Sequence, residues 1–529
     1  MNIRALIWSM AALIALAWSP AAKAAWYEAS SDHFVIYADD SEKDVRRFAT
    51  NLERYHKAME LLVGRQVPVP SPSNRVVIFA VGSGRDLREV AGDKSRTIAG
   101  FYIPRAGASR AFVQDIRNKS GYPHFSTTVL LHEYAHHFLI SSSRFAMPRW
   151  MSEGAAEFFA AASFDKDGGV QIGRVARHRA GELSYVNRLD VPELLGFGAY
   201  GSKRERSSDA FYGRSWLLYH YLTFSPERRG QVGEYGRQIM LGKNPVEAGE
   251  EAFGDLEHLE DELTNYRRSR RFSMLELQPE QLPVGKVTVR RLPKGEAEVL
   301  PLRIRSQRGV DKEEAAEIVA DVREVATDYP DDPGLLTALA EAEYDAGNDE
   351  AAIAAADRAI ALDPSRTNAY VQKGYAMFRQ ADDATGLESD AAFESAMEPF
   401  EALNRIENDH PMPLIYYYRS FAERGIDPPE NARHALERAA QLAPFDKSLW
   451  FDVAMMQMYE GKVELAKSSL QPLANDPHGG GRAESLRSLI EWLDGQREGV
   501  PLDGAAVAIA MSASGADAAE DDSVTGGED

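Results

Sequence analysis

The sequence predicts an α+β domain followed by an all-α solenoid. Three observations carry the prediction. Strand and helix signals alternate from Ala25 to Ala91, and a continuous helical run over Phe125 to Ile140 contains His-Glu-x-x-His. Beyond Asp311, paired helical segments recur with a period near thirty-four residues.

Taken in order, Met1 to Ala24 has a basic residue near its start, an apolar run from Ala5 to Trp18 and Ala22-Lys23-Ala24 before Ala25. That layout is expected of a secretory signal peptide (1–24), which makes the mature protein exported, to the periplasm or outside a bacterial cell. The apolar run is short of the ~20 residues of a membrane-spanning helix, and no later stretch qualifies. Phe34-Val-Ile-Tyr37 reads as a strand, Ser41 to Gly64 as a helix with a serine cap, Arg75-Val-Val-Ile-Phe79 as a second strand and Gly82 to Ala91 as a further helix. Arg110-Ala-Phe-Val-Gln114 reads as an edge strand able to pair with an extended peptide backbone.

The stretch Leu131-His132-Glu133-Tyr134-Ala135-His136 places His132 and His136 one helical turn apart on one face. Two imidazoles so placed can grip one zinc ion, and Glu133 leans toward the metal's open position as a general base. Glu153, in the following helical stretch Trp150-Met151-Ser152-Glu153-Gly154-Ala155-Ala156-Glu157, can supply a third ligand and leave the fourth position open, as catalytic zinc sites do. Glu157, one turn further, either accepts the spare N–H of a ligand histidine or is a surface glutamate or one paired with an arginine. His137 points away from the face shared by His132 and His136, and His220 reads as a satisfied packing residue.

His-Glu-x-x-His followed by Trp-x-x-Glu-Gly-x-Ala resembles the gluzincin branch of the zincins, the peptidase MA-like superfamily that includes the aminopeptidase N type. The resemblance implies a zincin-like metallopeptidase domain, with Glu153 as the third zinc ligand. It also implies that Tyr212, in Asp209-Ala-Phe-Tyr-Gly-Arg, steadies the oxyanion of the tetrahedral intermediate. The substrate cleft is then expected between the α/β layer and the helical part from Val129 to about Arg271. One departure bears on activity: aminopeptidases of this branch carry Gly-x-Met-Glu-Asn before the zinc helix, and Ala99 to Gln114 holds no acidic residue. That pattern suits an endopeptidase. The domain followed by repeats is similar to a group of exported bacterial proteins.

The peptidase-like domain is expected to span 25–280, including a loop-rich stretch from Ala161 to Ser208 and helical closure through Leu222 and Asn244 to Gly254. A linker at 281–310 reads as a hairpin of Lys286–Arg290 and Glu296–Ile304, so a chain ended near Arg305 is expected to fold without the repeats. The repeats, 311–496, resemble tetratricopeptide repeats: about four degenerate copies, an insertion at Asp382 to Ser395, and a capping helix from Arg482 to Gln496. Such arrays offer a concave surface to a protein partner or a peptide substrate. The tail, 497–529, is rich in Ala, Gly and acidic residues and is expected to be disordered.

Composition narrows the choice of function. A formal charge of −21 lacks the basic footprint that nucleic acid or an anionic membrane needs, and with no cysteine the chain has no disulfides. The expectation is an exported zinc-dependent peptidase whose repeats dock a partner or substrate. Its alternative is a catalytically inactive exported scaffold that works through the repeats.

Overall fold

The computed structural model describes residues 25–92, 98–117, 123–143, 145–186, 188–196, 210–384, 387–476 and 479–512. The expected signal segment, the run 201–208 and the tail from 513 onward lie outside the described residues. Among the described residues, no helix is long and apolar enough to cross a membrane.

The strands are β1 (Tyr27–Ser30), β2 (Phe34–Ala38), β3 (Val76–Ala80), β4 (Gly100–Ile103), β5 (Arg110–Val113), β6 (Ser163–Phe164), β7 (Val170–Ile172), β8 (Leu275–Leu277) and β9 (Thr288–Arg291). The main sheet has the order β4-β5-β3-β2-β1-β9, with β6, β7 and β8 in a small second sheet. β2, β3 and β5 are parallel, while β4 and β1 run antiparallel to their neighbours. Side chains alternate between the faces of such a sheet, and here both faces are covered, so both sets are apolar. Phe34, Ile36, Val76, Ile78, Ala111 and Val113 face one core. Tyr37, Phe79 and Phe112 face the other.

The first core is closed by α1 (Glu42–Val63), which Ser41 caps through the Asp44 amide. After α2 (Gly84–Ala91) on the opposite face, α3 (Phe125–Ser142) completes that core with Leu131, Ala135 and Phe138. α4 (Arg149–Ala160) follows, then the short α5 (Ala180–Tyr185) and α6 (Val191–Gly196), then α7 (Phe211–Phe224), α8 (Gln231–Met240), α9 (Pro245–Phe253) and α10 (Leu256–Arg267). α4 and α7 approach closely because Gly154 has no side chain: a Cβ there would lie 2.5 Å from the Ser215 carbonyl oxygen.

Two expectations fail along this part of the chain. β5 is an interior strand between β3 and β4; the edge beside α3 belongs to β4. Four consecutive residues of each strand pair, Gly100 to Ile103 against Val113 to Arg110, and the alternation read at Arg110 to Gln114 cannot say which neighbour a strand has. The expected linker hairpin is also absent. β9 pairs with β1 to close the far edge of the sheet, and Glu296 to Ile304 lies in α11 (Lys294–Arg308). Its apolar residues Val299, Leu300 and Ile304 have helical spacing, and Leu300 and Ile304 bury against Tyr37, Phe79 and Phe112. α11 is therefore the outer layer of the sheet, and residues 281–310 form no independent linker.

α11 is also the start of the array. Its Val299 packs with Ile318 and Val322 of α12 (Lys312–Asp328) and Leu335 of α13 (Pro333–Asp345). Antiparallel neighbours continue through α14 (Asp349–Leu362), α15 (Thr367–Asp383), α16 (Leu387–Ile406), α17 (Pro411–Ala422), α18 (Glu430–Leu442), α19 (Lys447–Tyr459), α20 (Val463–Ala474) and α21 (Gly480–Asp494). The first helices of successive pairs open at Pro333, Thr367, Pro411 and Lys447. The long interval is the second, where the expected insertion lengthens α16. The region is an all-α array of stacked helix pairs, as the repeat period predicted.

The tail is ordered further than expected. Leu502 N donates to Met458 O at 3.0 Å, and α22 (Gly504–Ser512) buries Val507 against Leu486, Leu489 and Leu493. The apolar run Ala505 to Met511 supplies that face, which the average composition of the whole tail, rich in Ala, Gly and acidic residues, conceals.

Candidate metal centre

α3 and α4 cross so that three of the predicted ligands meet. His132 Nε2 and His136 Nε2 are 3.1 Å apart, and Glu153 Oε2 is 3.2 Å from the first and 3.3 Å from the second. Three donors bound to one tetrahedral ion at ~2.0–2.1 Å would be about 3.3 Å apart, so the set has the dimensions of a zinc site with one corner left over. Among the described residues, it is the one group of three His, Cys, Asp or Glu side chains close enough to hold a metal ion. Glu153 is 0% exposed. Burial opposes its charge, but the imidazoles of His136 and His132 hold its carboxyl well below the usual carboxylate range.

The outer faces of both imidazoles are also occupied. With Nε2 turned inward, His132 Nδ1 donates to Glu157 Oε1 at 3.3 Å and His136 Nδ1 donates to the Ser152 hydroxyl at 3.2 Å. Glu157 is buried rather than at the surface, and beside His132 it also takes an arginine: Arg179 Nε donates to its Oε1 at 2.9 Å and His178 Nε2 to its Oε2 at 2.6 Å. Burial works against the Glu157 anion too, yet His132, His178 and Arg179 keep its carboxyl below the ordinary range. The Glu157 carboxylate, which can only accept, sets the tautomer of His132, and the two contacts hold the planes of both imidazoles.

A cleft of about 610 Å³ opens on this cluster. Glu133 lines it beside His132 and His136, where a general base for water would stand. Tyr212, at the start of α7, also lines it, with its ring 6.3 Å from the His132 ring and the Arg179 guanidinium 4.4 Å above it. The helix contact at Gly154 brings Tyr212 to α4 and the candidate ligands. Opposite, Gly100, Phe101 and Tyr102 of edge strand β4 form the upper rim.

His137 and His220 are not ligands. The Tyr102 hydroxyl donates to His137 Nδ1 at 2.6 Å, tying the edge strand to α3. His220 Nε2 donates to the Gly173 carbonyl at 2.9 Å, and its Nδ1 accepts from Tyr266. Sequence reasoning missed Ser152, His178 and Arg179. Ser152 stood inside the quoted motif, whereas His178 and Arg179 lie in a Gly- and Arg-rich stretch with no pattern to set them apart. It also missed Phe445, Lys447 and Asp476, which reach the cleft from the array.

Residues 126–235 match the model of a family described as a protein of unknown function (DUF1570). The match begins in α3 and takes in all the candidate ligands and Tyr212. Among solved structures, the chain is similar to TTC0263, a thermophilic TPR protein of Thermus thermophilus, with 16% identity and a TM-score of 0.31, over 37% of this chain and 98% of that one. It is similar to YrrB, a TPR protein with an unusual peptide-binding site, with 19% identity and a TM-score of 0.27, over 38% and 93%. It is also similar to MamA of Desulfovibrio magneticus, with 16% identity and a TM-score of 0.25, over 36% and 95%. A comparison with curated proteins gives no match.

Proposed function

We propose that the protein is an exported zinc-dependent peptidase of the gluzincin type. The observation that carries the reading is the convergence of His132 Nε2, His136 Nε2 and Glu153 Oε2 within 3.3 Å, on a cleft that also holds Glu133. His132, His136 and Glu153 would hold the metal. When bound, zinc supplies a Lewis acid that polarises the scissile carbonyl and activates water. Glu133 takes the proton from the attacking water and returns it to the leaving amine. The Tyr212 hydroxyl donates to the oxyanion of the tetrahedral intermediate.

One further feature supports a peptide substrate. Among the described residues β4 pairs with β5 along one edge only, and residues of β4 line the cleft, where an extended backbone can add as a further strand. That mode reads the main chain and places no demand on a free terminus, which favours cleavage within a chain. Export rests on the sequence of Met1 to Ala24 alone. The test is a paired measurement on the mature protein: about one zinc per chain by elemental analysis, and hydrolysis of unstructured peptides that a chelator stops and zinc restores. A folded protein that takes up no zinc would sink the reading and leave the scaffold alternative.

A further inference from the structure

We infer that the array is a wall of the substrate cleft itself, and that the turn before α19 reads the substrate on the N-terminal side of the bond to be cut. The inference rests on the peptidase reading for the words "bond to be cut", but its geometry is independent of catalysis.

The direction follows from the edge strand. A Cβ on Gly100, at the start of β4, would lie 3.5 Å from Val129 Cγ1, in the first half of α3. Two residues on, the Tyr102 hydroxyl reaches His137, near the other end of the same helix. The chain then runs into the array, where Ala106 N donates to Asp446 Oδ2 at 2.8 Å. Asp446 is also the N-cap of α19 and accepts from Leu449 N, so one carboxylate fixes both the loop after β4 and the helix that follows. β4 therefore points its C-terminal end at the array.

A peptide that adds antiparallel to β4, the slightly more stable pairing, runs the other way. Its N-terminal residues lie against the array, and its C-terminal residues pass toward Phe125, His178 and Arg179. At the array end, the Phe445 ring lies tilted with its centroid 4.3 Å from that of the His137 ring and offers an apolar contact. Beyond it, Lys447 Nζ donates to Asp476 Oδ2 at 2.6 Å, and both residues line the cleft. An ammonium and a carboxylate side by side present a donor and an acceptor, which is what a peptide unit needs whatever its side chain. The substrate class is thus an extended peptide with an apolar residue on the acyl side of the cut and main chain continuing past it.

The placement is firm because the array is bound to the domain at several other points. The Asn74 amide donates to the Leu442 carbonyl at 2.7 Å, and the Ser73 hydroxyl donates to Glu407 Oε2 at 2.8 Å. Asn74 Oδ1 in turn accepts from Gly107 N in the loop that meets Asp446.

The test uses the full-length mature chain and has two arms. In the first, unstructured peptides carrying a photo-crosslinker at the N-terminal or the C-terminal residue are bound and irradiated, and the labelled segment is identified by mass spectrometry. The N-terminal probe should mark the 440–476 region. Labelling of that region by the C-terminal probe, or by neither, overturns the proposal. In the second, zinc-loaded protein cleaves peptides lengthened stepwise on either side of the cut. Lengthening on the acyl side should improve kcat/KM by about tenfold, mainly through KM, and Lys447→Ala should remove most of that gain. Phe445→Leu, which keeps most of the buried volume of a residue packed among Leu436, Leu449 and Val453, should weaken apolar acyl-side residues selectively. Cleavage indifferent to acyl-side length and to both variants also overturns it. Correct crosslinking without cleavage would remove the peptidase reading and leave the array as a wall of a peptide-binding cleft.

Discussion

At the scale of single residues, the centre depends on groups that do different things at nearly the same place. Glu133→Gln keeps the shape of the base but removes its capacity to accept a proton. It should leave zinc content at about one per chain and lower kcat by about 10²–10⁴-fold, measured by metal analysis and peptide hydrolysis on the same preparation. Glu157→Gln touches no metal, yet it removes the charge that faces His132, His178 and Arg179. It should weaken zinc binding by about 10–100-fold in a chelator competition, because the ligand ring loses its oriented acceptor. If Glu157 only neutralised Arg179, zinc affinity would not move. The candidate ligands and Glu133 were legible because three residues at fixed helical spacing, with Glu153 one helix later, leave little freedom. Arg179 was not, since its place over Tyr212 depends on how a loop folds back.

At the scale of elements, the position of α7 against α4 decides whether Tyr212 meets the candidate metal ligands. Gly154→Ala puts a methyl into the Ser215 carbonyl, a backbone group that can only move with its helix. The variant should lose about 1–3 kcal/mol of stability by denaturant unfolding, and peptide hydrolysis should fall with it as Tyr212 shifts. Gly154 was part of the quoted motif, but the sequence could not say what it makes room for. A second element-scale prediction concerns the contact between α11 and α13. Asp345 accepts from the Ser306 hydroxyl at 2.5 Å, and burial, reinforced by Glu341, pushes its pKa up to about 6. A carboxyl raised in the folded state contributes stability that is present below its unfolded pKa and lost as pH rises through about 6. Asp345→Asn should therefore stabilise the protein at pH 7 by about 1–2 kcal/mol, and the gain should fade as pH falls from about 6 and be gone below about 4. Melting curves across that range check both the sign and the window.

At the scale of the whole molecule, the domain and the array are one folded body. α11 covers the sheet on one side and packs on α12 and α13 on the other. Ending the chain near Arg305 cuts inside that helix, contrary to the expectation of a free-standing zinc domain. A chain ended at Arg291, which leaves Tyr37, Phe79 and Phe112 without Leu300 and Ile304, should not give a cooperative thermal transition. Recovery of a zinc-binding, cooperatively melting fragment of that length would show that α11 is dispensable to the sheet.

What the sequence by itself determined are the features written in short-range periodicity: the helix that carries His132, Glu133 and His136, the following helix with Glu153, and the thirty-four-residue rhythm of the repeats. Spacing of this kind fixes which side chains share a face, and that is enough to name the candidate ligands. The tertiary structure alone decided the rest. Strand order put β4 rather than β5 at the rim of the cleft, since a strand's own alternation does not specify its neighbour. Helix spacing at Glu296 to Ile304 hid a surface shared by two units. Phe445, Lys447 and Asp476 came to the metal centre across some three hundred residues of chain, because the array folds back onto the loop after β4, and no local pattern encodes a contact made at that distance.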